Sequence, residues 1–234
     1  MTTLDRMHTS VAPGPDPAPG TLRARLLLAC GAVAGPLFTL AWLLEGATRA
    51  DYDPLRHPVS SLAIGELGWI QRATFVVTGL LMLAFTVGLR RALHPRGGSR
   101  WGTLLVGAYA IGLIGAGLFV TDPLSGYPAG SAGRPLERSI SGVLHDLFGV
   151  PVFLGLPAAC FLFARRFAQW GERGWAIYSA ATGSVFAIGF VLTSVAFGQA
   201  ERLVAFGGLL QRTTLTVGWT WLTMLALRST KQPT

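Results

Sequence analysis

Long apolar stretches alternate with short polar connections along this chain. The six predicted spans are residues 25–45, 70–90, 101–121, 144–164, 174–198 and 205–227. A helix that rises about 1.5 Å per residue needs roughly 20 apolar residues to cross about 30 Å of hydrocarbon. The stretches are continuously apolar, whereas the strands of membrane barrels alternate. The pattern therefore predicts an all-α, polytopic membrane helix bundle with six transmembrane helices.

Composition supports the same conclusion. Hydrophobic residues make up 51% of the chain and charged residues 13%, whereas about 25% of an ordinary soluble domain is charged. This is too little polar surface to cover a soluble domain, so the composition predicts that the chain contacts the lipid bilayer. The sequence pI of about 10.7 does not indicate nucleic acid binding, because the basic residues are spread over helix ends instead of forming one basic face. Nothing in the pattern specifies an oligomeric state.

The distribution of charge predicts an orientation. With both termini in the cytoplasm, twelve Arg or Lys and three Asp or Glu lie inside, against seven and eight outside. This asymmetry follows the positive-inside rule. The expected organisation is a disordered cytoplasmic tail at residues 1–24, a six-helix domain at 25–228 and a second cytoplasmic tail at 229–234. The expected location is the cytoplasmic (inner) membrane of a bacterium, as a multi-pass protein.

Polar side chains collect near the outward ends of the predicted helices. A charge at the bilayer centre costs about 2.5 to 3.5 kcal/mol on insertion scales, so such groups usually pair or face a wet cavity. We interpret them as one outward-facing pocket that binds a small polar solute or a lipid headgroup. Its predicted members are Glu45, Asp53, His57, Ser60, Trp69, Gln71, Arg72, Asp122, His145, Asp146 and Arg212. The alternative is that they are ordinary interfacial residues solvated among the headgroups.

Charge complementarity predicts partners within that pocket. Asp122 and Asp146 are expected to pair with Arg72 and Arg212, because bidentate guanidinium to carboxylate bonding satisfies both groups in a partly dry site. Nine apolar or neutral residues of the last stretch precede Arg212. Either that helix starts late or Arg212 is buried.

Catalytic and metal chemistry are weaker alternatives. His145, Asp146 and Asp122 are the candidates for an acid and base acting on a lipid, and His57 with Ser60 or Ser61 forms a poorer nucleophile pair. His57, His145 and Asp122 are the candidates for metal ligands, with Asp146 as a further oxygen donor, and their spacing matches no known ligand motif. No cofactor is predicted, with a divalent metal as the lesser possibility.

Three local features carry structural predictions. Val59–Trp69 is moderately apolar and too short to span, so we expect a short interfacial helix with a Ser N-cap. Prolines within spans are expected to bend their helices, because each removes a backbone donor. They are Pro36, Pro151 and Pro157. Small residues at four-residue spacing predict close helix packing, as at Gly31 and Gly35, at Ala108, Gly112 and Ala116, and at Ser179, Gly183 and Ala187.

Several phrases of the sequence resemble one family. They are CGAVAGPLF, YDPLRHPVSSLAIGELGWIQ, GLFVTDP followed by GYP, and LHDLFG. Together they are similar to the bacterial membrane family of domain of unknown function 998, over approximately Leu26 to Leu227. The resemblance implies a six-helix integral membrane protein with no assigned reaction. The phrases contain Asp53, His57, Ser60, Trp69, Gln71, Asp122, His145 and Asp146.

A looser similarity links the chain to the membrane hydrolases that include alkaline ceramidases. The chain lacks the His pair of their final helix, so this similarity does not imply zinc-dependent amidase activity. The expected function is a carrier or sensor with an outward polar pocket. A membrane-embedded, hydrolase-like enzyme acting on a lipid and a structural subunit without ligand are the alternatives.

Overall fold

The computed structural model describes residues 19–94 and 97–231. The described chain is all-α, as predicted. Its six long helices are α1 (Pro19–Thr48), α2 (Gly68–Leu93), α3 (Arg100–Leu118), α4 (Ile140–Gln169), α5 (Arg173–Phe197) and α6 (Gly207–Thr230). Two short 3-10 helices, Val59–Ala63 and Val204–Phe206, lie in the connections before α2 and α6.

Five helices, α1 to α5, are long and apolar enough to cross a bilayer, which implies contact with lipid. The sixth predicted span forms a helix of 24 residues. This helix is not apolar enough to be counted among them, because it contains Arg212, Arg228 and several threonines. The prediction of apolar spans is therefore confirmed for five of the six.

The helices extend beyond the predicted spans at several ends. Helix α1 begins at Pro19 and ends at Thr48, so it includes residues 19–24, which the sequence analysis placed in the tail. Residues 1–18 and 232–234 lie outside the described part of the chain. Helix α4 covers Ile140–Gln169, against a predicted span of 144–164.

Helix α4 is interrupted by one π-helical turn at Pro151–Gly155. Pro151 has no backbone N–H to donate, so an ordinary α-helical turn loses a hydrogen bond here, and π turns of this kind are frequent at functional sites. The turn divides the helix into a first half, Ile140–Val150, and a second half, Leu156–Gln169. Both halves pack on α3, and the second half also packs on α5.

Small residues allow close packing in the bundle, as predicted. A Cβ atom on Gly112 would lie 2.6 Å from the carbonyl oxygen of Phe148, and one on Gly35 would lie 2.6 Å from Oγ1 of Thr223. Consecutive helices α1, α2 and α3 pack side by side, and α6 packs between α1 and α5. The first half of α4 packs on α3, whereas α5 packs mainly on the second half of α4.

The predicted interfacial helix is shorter and more buried than expected. Its 3-10 helix covers only Val59–Ala63, and Trp69 already belongs to α2. Pro58 occupies the N-cap position and no side chain caps the helix, so the predicted Ser N-cap is wrong. Val59 and Leu62 are buried because this segment packs against α1, α2 and α6 and not on the surface of the bundle.

One cluster holds the helices together at the end opposite the 3-10 helices. Arg228 of α6 forms an ion pair with Glu172, in the short turn between α4 and α5. The guanidinium also lies over the rings of Phe167 and Trp175, at 4.9 and 5.1 Å from their centroids. This arrangement fixes α6 to the α4–α5 hairpin at that end.

Candidate functional site

Three connections meet at the end of the bundle where the polar residues were predicted to collect. They are residues 49–67, 119–139 and 198–206, and we call this the three-loop end. Arg56 donates from Nε to the carbonyl oxygen of Ser125 at 2.8 Å. Gln199 donates from Nε2 to the hydroxyl of the same Ser125 at 3.3 Å. These bonds join the three loops into one structured surface.

Arg212, near the start of α6, is the centre of a buried network at this end. It is 6% exposed, and its Nη1 donates to the carbonyl oxygens of Pro54, His57 and Gly208 at 2.7, 2.9 and 3.1 Å. Its Nη2 donates to the hydroxyl of Tyr52. We call this set the Arg212 node. The guanidinium satisfies the backbone of a loop and holds that loop against α6.

Aromatic rings compensate the charge of the Arg212 node. The guanidinium carbon lies 5.2 Å from the centroid of Trp42 and 5.4 Å from that of Tyr52. Cation–π contacts of this kind gain strength where water is excluded. Burial raises the pKa of Tyr52 to about 12, although Arg212 opposes the shift. The Tyr52 hydroxyl therefore keeps its proton, which it donates to the carbonyl oxygen of Pro58 at 2.8 Å.

His57 and Asp53 organise the loop on which the Arg212 node depends. Nδ1 of His57 accepts from the backbone N–H of Asp53 at 2.9 Å. Burial lowers the pKa of His57, and Arg56 and Arg212 lower it further while Asp53 opposes them. The Asp53 carboxylate accepts from the backbone N–H of Leu55 at 2.9 Å. Both side chains act on the conformation of their own turn.

Glu45, Arg49 and Gln71 form a second buried group on α1 and α2. Oε2 of Glu45 accepts from Nη2 of Arg49 at 3.1 Å, and Nη1 of Arg49 donates to the carbonyl oxygen of Ile64 at 3.2 Å. Gln71 is completely buried, and its side-chain amide has no hydrogen-bond partner within the described residues. Trp69, two residues earlier, is 64% exposed.

The predicted pairing of carboxylates with Arg72 and Arg212 is wrong. Arg72 donates from Nε to the carbonyl oxygen of Gly117 at 3.1 Å, at the end of α3. Asp122 accepts from the backbone N–H of Ser139 at 3.1 Å, just before α4. Asp146 pairs with Arg138. Backbone groups at helix ends lack partners within the helix. Arg72 and Asp122 satisfy such groups, and Arg212 satisfies the backbone of a neighbouring loop.

A cleft separates the first half of α4 from the last turns of α5. It consists of two adjoining cavities of about 490 Å³ and 380 Å³, both lined by Asp146, Ser194 and Phe197. We call the whole space the α4–α5 cleft. The larger cavity is its mouth, at the three-loop end. A third cavity, of about 50 Å³, is lined by His145 and Phe153, which also line the 380 Å³ cavity, and it reaches Phe38 in the core.

The mouth of the cleft carries four charged side chains. They are Asp122, Arg134, Arg138 and Asp146. Asp146 and Arg138 form an ion pair whose side chains are 61% and 53% exposed. The guanidinium of Arg134 lies beside Gly198 and forms no hydrogen bond or ion pair with any residue that the structure describes.

Uncharged polar groups line the cleft below the mouth. Nδ1 of His145 lies 2.9 Å from the carbonyl oxygen of Phe119 and 3.1 Å from that of Ala116. A carbonyl oxygen only accepts, so Nδ1 carries a proton, and Nε2 of a neutral ring is then an acceptor. The hydroxyl of Thr193 is buried and has no partner among the described residues. Ser60 and Gln211 line the same cavity.

The structure brings four of the predicted pocket residues to the α4–α5 cleft: Ser60, Asp122, His145 and Asp146. Glu45, Asp53, His57, Trp69, Gln71, Arg72 and Arg212 have the contacts described above, away from the cleft. Sequence reasoning missed the cleft residues Arg134, Arg138, Thr193, Ser194 and Gln211. The only signal for Thr193 and Ser194 was a pair of hydroxyls near the end of an apolar stretch.

Metal ligation finds no support in the geometry of the described residues. Within 19–94 and 97–231, no group of three His, Cys, Asp or Glu side chains lies close enough to hold an ion. His57 is bonded to the Asp53 backbone, whereas Asp122 caps the start of α4. Cys30 and Cys160 are both free thiols.

Comparison with known families places the chain. The model of the family described as Protein of unknown function (DUF998) matches residues 32–228. This covers well over half of the sequence, so the chain belongs to that family, and the resemblance seen in the sequence is confirmed. No curated protein and no solved structure matches the chain.

Proposed function

We propose that this DUF998 protein is a six-span protein of the bacterial inner membrane whose α4–α5 cleft binds an amphiphile. The polar head lies in the mouth, and the apolar part lies between α4 and α5. Binding in the cleft is the recognition step of a carrier or a sensor.

The proposed topology includes α6 as the sixth crossing, with both termini in the cytoplasm. A helix of 24 residues is about 36 Å long, enough for the hydrocarbon layer. Arg212 makes its hydrogen bonds to protein oxygens and not to lipid, which offsets the cost of its charge. The excess of basic residues on the proposed cytoplasmic side supports the same orientation.

One observation carries the proposed binding function: charged, hydroxyl-bearing and apolar groups follow one another along a single cleft. Asp146 and Arg134 line the mouth. Thr193 lies deeper, and Phe153 and Phe190 line the wall beyond the mouth. Their rings stack at 5.0 Å between centroids, which joins α4 to α5 below the opening. A ligand with a polar end and an apolar end fits this sequence of environments.

The cleft also has access from the lipid-facing side of the bundle. Val150 and Leu154, on α4, line the cavity and are 48% and 54% exposed. Val191 of α5 is 58% exposed. Apolar side chains on the outside of a membrane bundle contact lipid, so an acyl chain can enter between the two helices without crossing a polar surface.

Photolabelling tests the proposal. The purified protein is placed in nanodiscs that contain a phospholipid with a diazirine on its acyl chain, and labelled peptides are identified by mass spectrometry. We expect strong labelling around Phe153 and Phe190. Ser194→Trp fills the cleft and should reduce that labelling about fivefold or more. Val185→Trp, on the lipid-facing side of the same helix, is the matched control and should leave it unchanged.

Uniform labelling of all lipid-facing residues, insensitive to Ser194→Trp, would contradict the proposal. It would instead favour the alternative of a structural subunit without a ligand. Elution of both variants as single peaks in size exclusion shows that they are folded.

The position of His145 favours a second candidate function, hydrolysis of a lipid ester or amide. With Nδ1 bonded to backbone carbonyls, Nε2 is available as a general base at the wall of the cleft. It would take a proton from water as the oxygen attacks the carbonyl carbon. The bond to the leaving group then breaks, and that group takes the proton. The products are a carboxylic acid and an alcohol or amine.

Turnover of a fluorogenic ester lipid in the same nanodiscs tests this second function. His145→Gln should abolish release of the fluorophore while cleft labelling persists. Absence of turnover in the unmodified protein excludes this hydrolysis and leaves the binding proposal intact.

A further inference from the structure

We propose that the cleft selects a phospholipid whose headgroup carries both a phosphate and a primary ammonium group. This inference rests on the proposed binding function and names the class of its ligand. It follows from the charges of the mouth and from the order of polar groups beneath them.

The mouth offers two positive and two negative side chains. A headgroup with a single charge meets repulsion from half of them, whereas a zwitterionic headgroup finds an opposite charge for each of its ends. Arg134 has no partner among the described residues, and a guanidinium binds phosphate through two parallel hydrogen bonds. Arg134 is therefore the first anchor for the phosphate.

The ion pair of Arg138 with Asp146 can open to receive the ligand. Both side chains are more than half exposed, and exposed pairs contribute little to stability. A phosphate contacts Arg138 and an ammonium contacts Asp146, so two new charge-assisted contacts replace one old pair. Asp122 is held in place by the backbone N–H of Ser139 and adds a second carboxylate beside the ammonium.

Thr193 marks the level of the ester groups. This residue is 3% exposed and lines the cleft, and its buried hydroxyl has no partner within the described chain. A buried hydroxyl without a partner is costly, and an ester carbonyl supplies an acceptor. Phe153 and Phe190 line the cavity below it, where the first carbons of the acyl chains would lie.

The same contacts exclude other common lipids. An anionic phosphoglycerol headgroup brings no cation to Asp122 and Asp146. Diacylglycerol leaves Arg134 without an anion. A phosphocholine headgroup has no N–H with which to donate to a carboxylate, so it should bind less tightly than phosphoethanolamine.

Competition for the cleft tests the selectivity. The diazirine probe carries a phosphoethanolamine headgroup, and the nanodisc matrix is phosphatidylcholine. Unlabelled phosphatidylethanolamine should compete at about tenfold lower mole fraction than phosphatidylglycerol or diacylglycerol, a difference of roughly 1.4 kcal/mol. Asp146→Asn should reduce that preference to about threefold or less. Glu66→Gln, an exposed carboxylate of another loop, is the matched control and should retain the full preference.

Arg134→Gln separates the two ends of the headgroup, because it should weaken competition by every phospholipid while leaving diacylglycerol unaffected. Equal competition by all the lipids would overturn the selectivity and leave the binding function standing. Loss of cleft labelling altogether would overturn both. Equal competition by water-soluble glycerophosphoethanolamine would also overturn the inference, because the ligand would then need no acyl chain.

Discussion

The Arg212 node and the mouth of the α4–α5 cleft are two charged regions at the same end of one bundle. In the node, the buried guanidinium has protein oxygens on both terminal nitrogens and aromatic rings beside it. In the mouth, Asp146 and Arg138 are exposed, and Arg134 has no partner among the described residues. The chemistry of the side chains is similar, but their availability differs.

This difference separates structure from recognition. Polar groups that satisfy one another within the fold hold loops in place, and a ligand gains little by replacing them. Polar groups that face a cavity, or pair only in contact with water, exchange partners at low cost. The two regions should therefore respond in opposite ways to substitution: the node in stability and the mouth in binding.

The largest expected effect is the loss of the Arg212 node. Arg212→Gln removes the donor to the carbonyl oxygen of Pro54 and to the hydroxyl of Tyr52, and it leaves the carbonyl oxygen of His57 only the longer bond from Tyr52, at 3.3 Å. Each buried polar group left unsatisfied costs about 1–3 kcal/mol. We expect a loss of at least about 3 kcal/mol in the free energy of unfolding, measured by equilibrium denaturation in mixed micelles. The exposed Arg202→Gln, on a neighbouring loop, is the control and should change stability little.

An unchanged stability of Arg212→Gln would remove the distinction between the two regions. The distinction would also fail if Arg212→Gln lost cleft labelling at temperatures where the variant is fully folded, because the node would then take part in binding.

Overpacking of the wall behind the cleft should come next. A Cβ atom on Gly115 of α3 would lie 2.0 Å from the ring of Phe148 on the first half of α4. Gly115→Ala should therefore push that half away from α3 and destabilise the protein by about 1–3 kcal/mol. Gly155→Ala is the matched control, because its Cβ would come no closer than 3.9 Å to any neighbour. Equal stability of the two variants would show that α4 does not depend on this contact.

A smaller effect should appear as a pH dependence of the node. Burial lowers the pKa of His57 below its ordinary value of 6.5. As pH falls below 6.5, the unfolded chain takes up a proton that the folded protein does not, so the unfolded state is favoured. The melting temperature of the unmodified protein should therefore fall relative to that of His57→Asn between about pH 7 and pH 5.5. His57→Asn keeps an acceptor for the Asp53 N–H and does not titrate, so this comparison isolates the contribution of the one ring.

The smallest effect on stability should come from the mouth. Asp146→Asn breaks an exposed ion pair, and such pairs contribute about 0–1 kcal/mol. We expect a change in the free energy of unfolding within about 0.5 kcal/mol, together with the loss of headgroup preference described above. A large loss of stability would place Asp146 with the structural charges of the node.

The helical class and most of the helix positions could be predicted from hydrophobic runs, because lipid demands both length and continuous apolarity. The π turn after Pro151 was beyond that reasoning, since proline predicts a bend but not how the backbone absorbs it. The sixth stretch was predicted as a span, but its helix contains Arg212, Arg228 and several threonines and is less apolar than the other five. This helix packs against α1 and α5.

The location of polar residues at one end of the bundle was predictable, and their partners were not. Asp122 and Arg72 looked like a pair, yet each bonds to backbone groups at a helix end. Backbone donors and acceptors have no signature in sequence, so a count of side-chain charges omits them. His145 was found because it is an ionisable residue at the start of an apolar stretch, whereas Thr193 was missed because isolated hydroxyls are common in apolar helices.

The cluster around Arg228 determines how the helices beside the cleft can move. The contacts of Arg228 with Glu172 and the two rings fix α4, α5 and α6 to one another at one end. A small rotation about that end therefore produces its largest displacement at the opposite end, where the cleft opens. Helix α5 is 25 residues, or about 37 Å, long, so a rotation of about 3° at the pivot displaces its far end by about 2 Å. A pivoting motion of this kind would change the width of the α4–α5 cleft at the three-loop end while the opposite end stays fixed.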